Sequence, residues 1–186
     1  MATFYLIRHG KPDYSEMMEK GFFGYGRDFA PLSEEGIKQA EKTSQDERLK
    51  SANIIVSSPY TRALQTAQII SKNTGIDVVV ELDLHEWIPD LTNQYKESDE
   101  SFQLSEEFVQ CKGMYPLGEN KRWETLEDMR IRMRRVADKY AHYDKVIVVG
   151  HGMAFRTLTY IEDMRPAEIV ECTYEIGQED CNYSFY

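Results

Sequence analysis

Cysteine, basic residues and long apolar runs are scarce in this chain of 186 residues. Its three cysteines, Cys111, Cys172 and Cys181, form no C-x-x-C pair, and their odd number argues against a disulfide framework or a structural zinc site. The 22 lysines and arginines face 32 acidic residues, which gives a net charge of −10. This balance disfavours nucleic acid and anionic membranes as partners. Any anion site must therefore be built locally from a few cations.

The first apolar run, Phe4–Ile7, is too short for a signal peptide or a membrane helix, and basic residues follow it instead of preceding it. We therefore expect a cytoplasmic protein. The length fits one domain, residues 1–186, and a hydrophobic content of 41% is enough for a real core.

Several common catalytic motifs are also missing. The chain has no G-x-x-x-x-G-K-[ST] loop, no G-x-G-x-x-G turn and no G-x-S-x-G elbow. Neither Cys111 nor Cys172 has an arginine six positions on, so the cysteine-phosphatase loop is absent there, and no D-x-D occurs for an aspartyl-phosphate mechanism. His85 and Glu86 lack the second histidine of H-E-x-x-H, and we expect no metal and no other cofactor. If phosphoryl chemistry occurs here, histidine is the remaining candidate nucleophile.

The chain does contain short apolar runs that alternate with helical patterns. The runs are Phe4–Ile7, Asn53–Val56, Ile76–Val80 and Val146–Val149. They are rich in β-branched residues and nearly continuous in hydrophobicity, which is typical of strands buried on both faces. The alternation predicts an α/β fold, a three-layer α/β/α sandwich around a mostly parallel sheet.

Helix ends are recognisable in three places. Ser33, Ser58 and Thr125 are each predicted to cap a helix. The first helix should cover roughly residues 34–49, and the second should end at Gly75.

The stretch from Trp87 to Glu124 does not follow the alternation of strands and helices. We interpret it as a small insertion, partly helical around Ser105–Cys111, that lies over the edge of the sheet where the active site is expected.

Candidate functional side chains follow the ends of the predicted strands. Arg8 and His9 follow the first strand, Arg62 the second, Glu86 the third and His151 the fourth. In open α/β sheets, ligands bind outside the carboxyl ends of the strands. One histidine in such a place is more often structural than catalytic. Two histidines and two arginines on the same rim favour a site for an anion.

A second group of cations has a simpler interpretation. One predicted helix carries four arginines: Arg130, Arg132, Arg134 and Arg135. Polyanion binding is one interpretation of this cluster. The helical spacing instead predicts exposed ion pairs between Arg132 and Asp128 and between Arg134 and Asp138.

Five blocks of sequence together resemble a known family. In chain order they are "LIRHGKPDY", "PLSEEGIKQA", "SSPYTRALQTA", "LHEW" and "VVGHGMAFR". They resemble the signature blocks of the histidine phosphatase superfamily, which includes phosphatases and cofactor-dependent phosphoglycerate mutases. The resemblance spans nearly the whole chain and is weakest from residue 88 to residue 123. It implies that His9 is a nucleophile that forms a phosphohistidine and that Glu86 is the proton donor. The groups that it implies for binding the phosphoryl group are Arg8, Arg62 and His151.

The chemistry of phosphoryl transfer fits these residue types. Charge develops on three equatorial oxygens, which arginine forks and backbone N–H groups after Gly152 can bind. Nearby arginines should lower the pKa of His9 below its usual value of about 6.5, which keeps the imidazole neutral. The sequence leaves open which ring nitrogen of His9 attacks. The nitrogen that does not attack should donate its hydrogen to a backbone carbonyl. Glu86, on position alone an ordinary loop acid, would protonate the leaving alcohol and later deprotonate water.

Three functions remain open at this level. We expect a phosphomonoesterase that acts on a small phosphorylated metabolite, because mutases of this kind usually carry a longer insertion. The alternatives are a cofactor-dependent phosphoglycerate mutase and a non-catalytic phospholigand-binding module, which would be expected to lose His9 or Glu86. Aromatic residues such as Tyr14 and Trp87 in the segments next to the site suggest an uncharged or partly apolar leaving group. A homodimer is also left open.

Overall fold

The structure, a computed structural model, describes residues 1–92, 94 and 98–185. Within them, five strands form one sheet: β1 (Ala2–Arg8), β2 (Ile54–Ser57), β3 (Val78–Val80), β4 (Lys145–Gly150) and β5 (Ile169–Tyr174). The strand order is β3-β2-β4-β1-β5. The first four strands are mutually parallel, and β5 is antiparallel to β1. The predicted mostly parallel sheet is confirmed. Strand β5 was not predicted, because it is an edge strand whose apolar pattern is interrupted by Glu171.

The helices alternate with the strands as predicted. In the described residues they are α1 (Ser15–Glu19), α2 (Glu34–Thr43), α3 (Thr61–Thr74), α4 (Ser98–Gln110), α5 (Leu126–Tyr140) and α6 (Gly152–Phe155). Three 3₁₀ turns cover Gly24–Phe29, Glu47–Ser51 and Leu82–Leu84. None of these helices is both long enough and apolar enough to cross a membrane.

Both faces of the sheet are buried by helices. Along β1, Phe4 and Leu6 point into the core shared with α5, whereas Tyr5 and Ile7 point into the core shared with α3. This alternation follows from the two-residue repeat of a strand. Burial of each such side chain contributes roughly 1.5–3 kcal/mol, and the paired cores fix the positions of the strand ends.

Two of the three predicted helix caps are confirmed. The side chains of Ser33 and Thr125 accept hydrogen bonds from the first turns of α2 and α5, and Gly75 ends α3 in the left-handed conformation. The first of these helices is shorter than predicted, because it ends at Thr43 and not near residue 49. The hydroxyl of Ser44 bonds back to the helix, and the Asp46 side chain caps the following 3₁₀ turn.

The predicted cap at Ser58 is wrong. Helix α3 begins at Thr61 with Tyr60 as its N-cap residue. Ser58 is fully buried, and its Oγ lies 2.8 Å from Nε2 of His151. The hydroxyl therefore serves the neighbouring histidine instead of the helix end.

The predicted ion pairs along α5 are also wrong. Arg132 is buried and pairs with Glu124 instead of Asp128, with Arg132 Nε at 2.5 Å from Glu124 Oε1. Arg134 pairs with Asp180. The carboxylate of Asp138, the partner predicted for Arg134, accepts a hydrogen bond from Tyr174.

The segment from 87 to 124 contains α4, which begins earlier than the predicted helix around Ser105–Cys111. Phe108 of this helix is fully buried and contacts the rings of Trp87 and Trp123. These aromatic contacts tie both ends of the segment to the core beside α5.

Candidate active site

The sheet order brings the predicted site residues together. Strands β1 and β4 are neighbours, and their ends carry His9 and His151, whose ring centroids are 5.1 Å apart. The first turn of α3, which follows β2 on the other side of β4, carries Arg62. Arg8 lies beside Gly152, since a Cβ on that glycine would be 3.8 Å from Arg8 Nε.

The hydrogen bonds of His9 distinguish its two nitrogens. Nδ1 lies 2.7 Å from the carbonyl oxygen of Gly10, which can only accept, so Nδ1 carries the proton. The lone pair is therefore on Nε2, which accepts a hydrogen bond from Nε of Arg62 at 3.2 Å. The nitrogen next to the arginine is the one that can attack a phosphorus atom.

Burial and charge keep His9 neutral. Desolvation is the main cause, and the Arg62 guanidinium adds to it; together they lower the pKa of His9 from 6.5 to about 3. Burial also lowers the pKa of His151 well below its usual value, again with a contribution from Arg62. Both imidazoles are thus uncharged at neutral pH.

Two buried nitrogen atoms in this group have no hydrogen-bond partner among the described residues. They are Nε of Arg8 and Nδ1 of His151. The Arg8 side chain is held by a bond from Nη1 to the carbonyl oxygen of Met164 at 2.5 Å. Buried polar groups are normally satisfied, so unpartnered nitrogens beside a neutral histidine are consistent with a site that an anion completes.

The carboxylate of Glu86 lies against the first turn of α6. Its carboxylate accepts hydrogen bonds from the backbone N–H groups of Trp87, Met153 and Ala154 at 2.9 to 3.3 Å. The amides of Met153 and Ala154 were predicted to help hold a phosphoryl group after Gly152. In this structure they hold Glu86 instead, which places its carboxylate in the lining of the same cleft as Arg62.

Arg132, which was not predicted as a site residue, holds the backbone that leads to Glu86. Arg132 donates to the carbonyl oxygens of Asp83 and His85 at 2.6 and 2.8 Å and forms a two-bond pair with Glu124. The helical stripe carries the signal for its burial, because residue 132 lies three positions after Met129 and next to Met133.

Asp28 and Tyr60 were also not predicted as site residues. Asp28 Oδ1 lies 3.4 Å from Nη1 of Arg62, and the same guanidinium lies over the Tyr60 ring at 4.8 Å. Burial raises the pKa of Asp28, although Arg62 opposes the shift. Both residues fix the orientation of Arg62, and no strand-end pattern marks Asp28 in the sequence.

Gly10 is required by a close approach of two chain segments. A Cβ at Gly10 would lie 2.5 Å from the carbonyl oxygen of Gly36, the third residue of α2. The amide of Gly10 donates to Oγ1 of Thr66 on α3. The loop that carries His9 is therefore clamped between two helices, and a side chain at Gly10 would displace it.

A cleft of about 590 Å³ opens beside the arginine and the carboxylates. Its aromatic lining consists of Tyr14, Tyr25, Tyr60, Trp87 and Phe102. Its charged lining in the described part of the chain consists of two arginines and two acids: Arg27, Arg62, Asp28 and Glu86.

A second cleft, of about 770 Å³, lies between the end of α2 and residues 165–169. Its arginines, Arg48 and Arg165, pair with Asp46 and Glu168. None of Arg8, His9, Arg62, Glu86 and His151 lines it, so its larger volume does not make it the better candidate site.

Within residues 1–92, 94 and 98–185, no group of three or more His, Cys, Asp or Glu side chains is placed to bind a metal ion.

Comparison with known proteins agrees with this geometry. The family model described as histidine phosphatase superfamily (branch 1) matches residues 4–175. The chain belongs to the histidine phosphatase superfamily. It is 30% identical over 162 residues to an uncharacterized phosphatase, PhoE, of Bacillus subtilis (strain 168), which covers 85% of this chain and 76% of the relative.

Solved structures of a phosphoglycerate mutase and of a phosphatase share the fold. A phosphoglycerate mutase from Bacillus anthracis str. Sterne superposes with a TM-score of 0.69 at 20% identity, covering 95% of this chain and 89% of its own. A mycobacterial glucosyl-3-phosphoglycerate phosphatase superposes with a TM-score of 0.65 at 21% identity, covering 92% and 90%. At these identities the likeness concerns the fold, and both phosphatases and mutases are among the neighbours.

Proposed function

We propose that the chain is a phosphomonoesterase that hydrolyses a small phosphorylated metabolite through a phosphohistidine on Nε2 of His9. The observation that carries this proposal is the state of His9. The residue is buried and neutral, its Nδ1 proton is used by Gly10, and its lone pair lies beside a guanidinium. A neutral imidazole next to a fixed positive charge is what attack on a phosphate ester requires.

In the first step, Nε2 of His9 forms a bond to phosphorus while the bond from phosphorus to the ester oxygen breaks. Glu86, entering as the carboxylic acid, transfers its proton to that oxygen, and the alcohol leaves. Arg62 now donates Nε–H to Nε2; when the phosphoryl group binds, this donor passes to a phosphoryl oxygen and frees the lone pair. Arg8 and His151 supply further donors to the same group.

In the second step, the Glu86 carboxylate accepts a proton from water as the water oxygen attacks phosphorus. The bond from phosphorus to Nε2 breaks, and inorganic phosphate and protonated Glu86 result. Positive charge for both steps comes from Arg8 and Arg62, so the proposed mechanism needs no metal.

The charges of the cleft favour hydrolysis over a mutase reaction. A bisphosphorylated cofactor carries two phosphate groups and a carboxylate, which need several cations. In the described lining, Arg62 pairs with Asp28, and Arg27, stacked on Tyr14 at 4.7 Å, is the other arginine. A substrate with one phosphate and an uncharged remainder fits this balance better.

The aromatic lining supports a leaving group with a flat, apolar part. A cleft of about 590 Å³ exceeds what a phosphate on a three-carbon alcohol needs, and Trp87 and Phe102 of the segment 87–124 both line it. Stacking on aromatic side chains is worth about 1–3 kcal/mol per ring. We therefore expect ring-bearing esters to be preferred over equivalent ring-free esters.

Phosphate release from a panel of esters tests the proposal. Adenosine 5′-monophosphate and ribose 5-phosphate form a matched pair, because both carry a primary 5′ ester and differ in the base. Release from either ester or from a nitrophenyl ester, lost in His9→Ala, is the expected result. No release from any ester would contradict the phosphatase. Activity that depends on added 2,3-bisphosphoglycerate would support the mutase instead.

A further inference from the structure

The two ring nitrogens of His151 have different surroundings. Nε2 lies 2.8 Å from Oγ of Ser58, whereas Nδ1 is buried with no hydrogen-bond partner among the described residues. His151 itself is fully inaccessible to solvent. A polar atom in this position needs a partner from a bound molecule, and its ability to bind an anion depends on whether it carries the proton.

The hydrogen bonds around Ser58 indicate where that proton is. The backbone N–H of Tyr60 donates to Oγ of Ser58 at 3.4 Å, so this oxygen already accepts one bond. Its own hydrogen is then available for Nε2 of His151. A neutral imidazole has one N–H, and if Nε2 accepts from Ser58, the N–H must be on Nδ1.

Charge considerations agree with a neutral ring. Arg62 and His9 both face His151, and burial without a carboxylate partner opposes a second cation at this place. His151 therefore acts as a neutral donor, and only one of its two tautomers can donate from Nδ1. The other tautomer would direct a lone pair at an anionic oxygen.

We propose that Ser58 is a positioning residue that holds His151 as the Nδ1–H tautomer, so that Nδ1 donates a hydrogen bond to the phosphoryl group. The chain of bonds runs from the Tyr60 amide to Ser58 Oγ, from Ser58 to His151 Nε2, and from His151 Nδ1 to the phosphoryl oxygen. This role rests on the proposed function of the site as a phosphoryl-transfer centre. It also explains why Ser58 is buried beside the histidine and does not cap α3.

Nitrogen-15 NMR of the histidine rings tests the tautomer directly, without turnover. The chain has four histidines, and a His151→Gln variant identifies the signals of this ring. We expect the protonated nitrogen of His151 in the wild-type chain to be Nδ1, both alone and with inorganic phosphate. In Ser58→Ala we expect the Nε2–H form to become populated. A wild-type ring protonated on Nε2, or a tautomer unchanged in Ser58→Ala, would overturn the proposal.

Kinetics give a second test with a matched control. Loss of a hydrogen bond to a charged group corresponds to roughly a 10- to 100-fold drop in kcat/KM for Ser58→Ala. Ser58→Thr, which keeps the hydroxyl, should recover most of it. Ser57→Ala removes an equally buried hydroxyl that bonds to the Ser58 carbonyl and does not touch His151, so its loss should be much smaller. Equal losses in Ser57→Ala and Ser58→Ala would contradict the proposal.

The two tests separate the proposals. If the chain releases no phosphate from any ester but His151 has the Nδ1–H tautomer that Ser58→Ala changes, the proposed phosphatase function fails and the role of Ser58 in setting the tautomer stands. If phosphate is released and the ring is protonated on Nε2, the role of Ser58 fails alone.

Discussion

The two sides of the cleft are held in place by different interactions. On the sheet side, pairing between β1, β4 and β2 fixes the strand ends that lead to His9, to His151 and to the first turn of α3 with Arg62. All three side chains are buried, and the two histidines are neutral. On the side formed by the described residues of the segment 87–124, ion pairs and aromatic contacts predominate, as in the pair of Asp90 with Arg122 at 2.5 Å. The sheet side is therefore suited to a chemical step that is the same for different leaving groups. The other side can change its side chains, and hence the preferred leaving group, without moving the histidines.

The largest effect should come from the sheet side. We expect His9→Ala to lower kcat by on the order of 10³-fold or more, because no other neutral imidazole has its lone pair beside Arg62 in the described site. Phosphate or vanadate should still bind, which calorimetry can measure. His142→Ala, at an exposed histidine, is the control. Retention of even a tenth of the wild-type kcat, a loss of only about 1.4 kcal/mol, would exclude an obligatory nucleophile.

Glu86→Gln should affect esters according to their leaving groups. An alkyl ester needs the acid and should lose about 10²–10⁴-fold in kcat/KM. A nitrophenyl ester leaves as a stable anion and should lose much less. Equal and small losses on both would remove Glu86 from the mechanism. Asp28 would then be the next candidate, since Asp90 is held by Arg122.

Arg132 connects the two sides, and its removal should reduce stability. Arg132→Met leaves Glu124 as a buried carboxylate without its cation, which should lower the free energy of unfolding by about 3–5 kcal/mol. Arg135→Met on the same helix removes an exposed pair with Asp83 and should cost about 0–1 kcal/mol. Urea titration of both variants measures this difference in stability. Equal midpoints would show that the buried pair is not important for stability.

The two sides should also differ in acid sensitivity. The pKa of His9 is about 3 in the folded chain and about 6.5 when unfolded, so only the unfolded state binds this proton between those values. Stability should therefore fall as pH decreases through this window, by up to about 1.4 kcal/mol per pH unit from His9. On the other side, Arg122 holds the pKa of Asp90 below its usual range. The stabilising contribution of Asp90 to folding is therefore present above about pH 3.9 and is lost as the pH falls below that value.

Urea midpoints measured from pH 4 to pH 8 check this prediction. His9→Gln, which does not titrate, should show a shallower decline below pH 6.5 than the wild-type chain. An identical decline in both proteins would mean that His9 is accessible and protonated in the folded state.

The smallest effect should come from the wall of the cleft. Phe102→Ala should lower kcat/KM for adenosine 5′-monophosphate by about 5- to 10-fold, the lower end of the range for one stacked ring, and leave ribose 5-phosphate unchanged, because the base loses one stacking partner. Phe29 is similarly exposed, at 64% against 65%, and is not part of the described cleft lining, so Phe29→Ala is the control. A uniform loss on both esters would indicate a general disturbance and not a contact with the ring.

The site residues that could be predicted from the sequence are those that directly follow a strand. Apolar runs fix the strands, and a parallel sheet brings the residues after them to one edge, so His9 and His151 could be placed beforehand. Arg132, Asp28 and Ser58 could not, because their roles depend on contacts between distant segments. Ser58 satisfies the local rule for a helix cap, but a buried histidine competes for its hydroxyl. Arg132 follows the charge-pair rule in sequence, but it lies on the buried face of its helix.

The most direct test of the account is to trap the phosphoryl group on the protein. Glu86→Gln lacks the base that deprotonates the attacking water, so it should hydrolyse the phosphohistidine slowly. Reaction with a nitrophenyl ester should therefore leave the phosphoryl group attached to the protein. After an alkaline quench, which preserves phosphohistidine, mass spectrometry of the peptides should find it on His9. Absence of any phosphohistidine, or the same modification in a His9→Ala background, would contradict the central claim that His9 is the nucleophile.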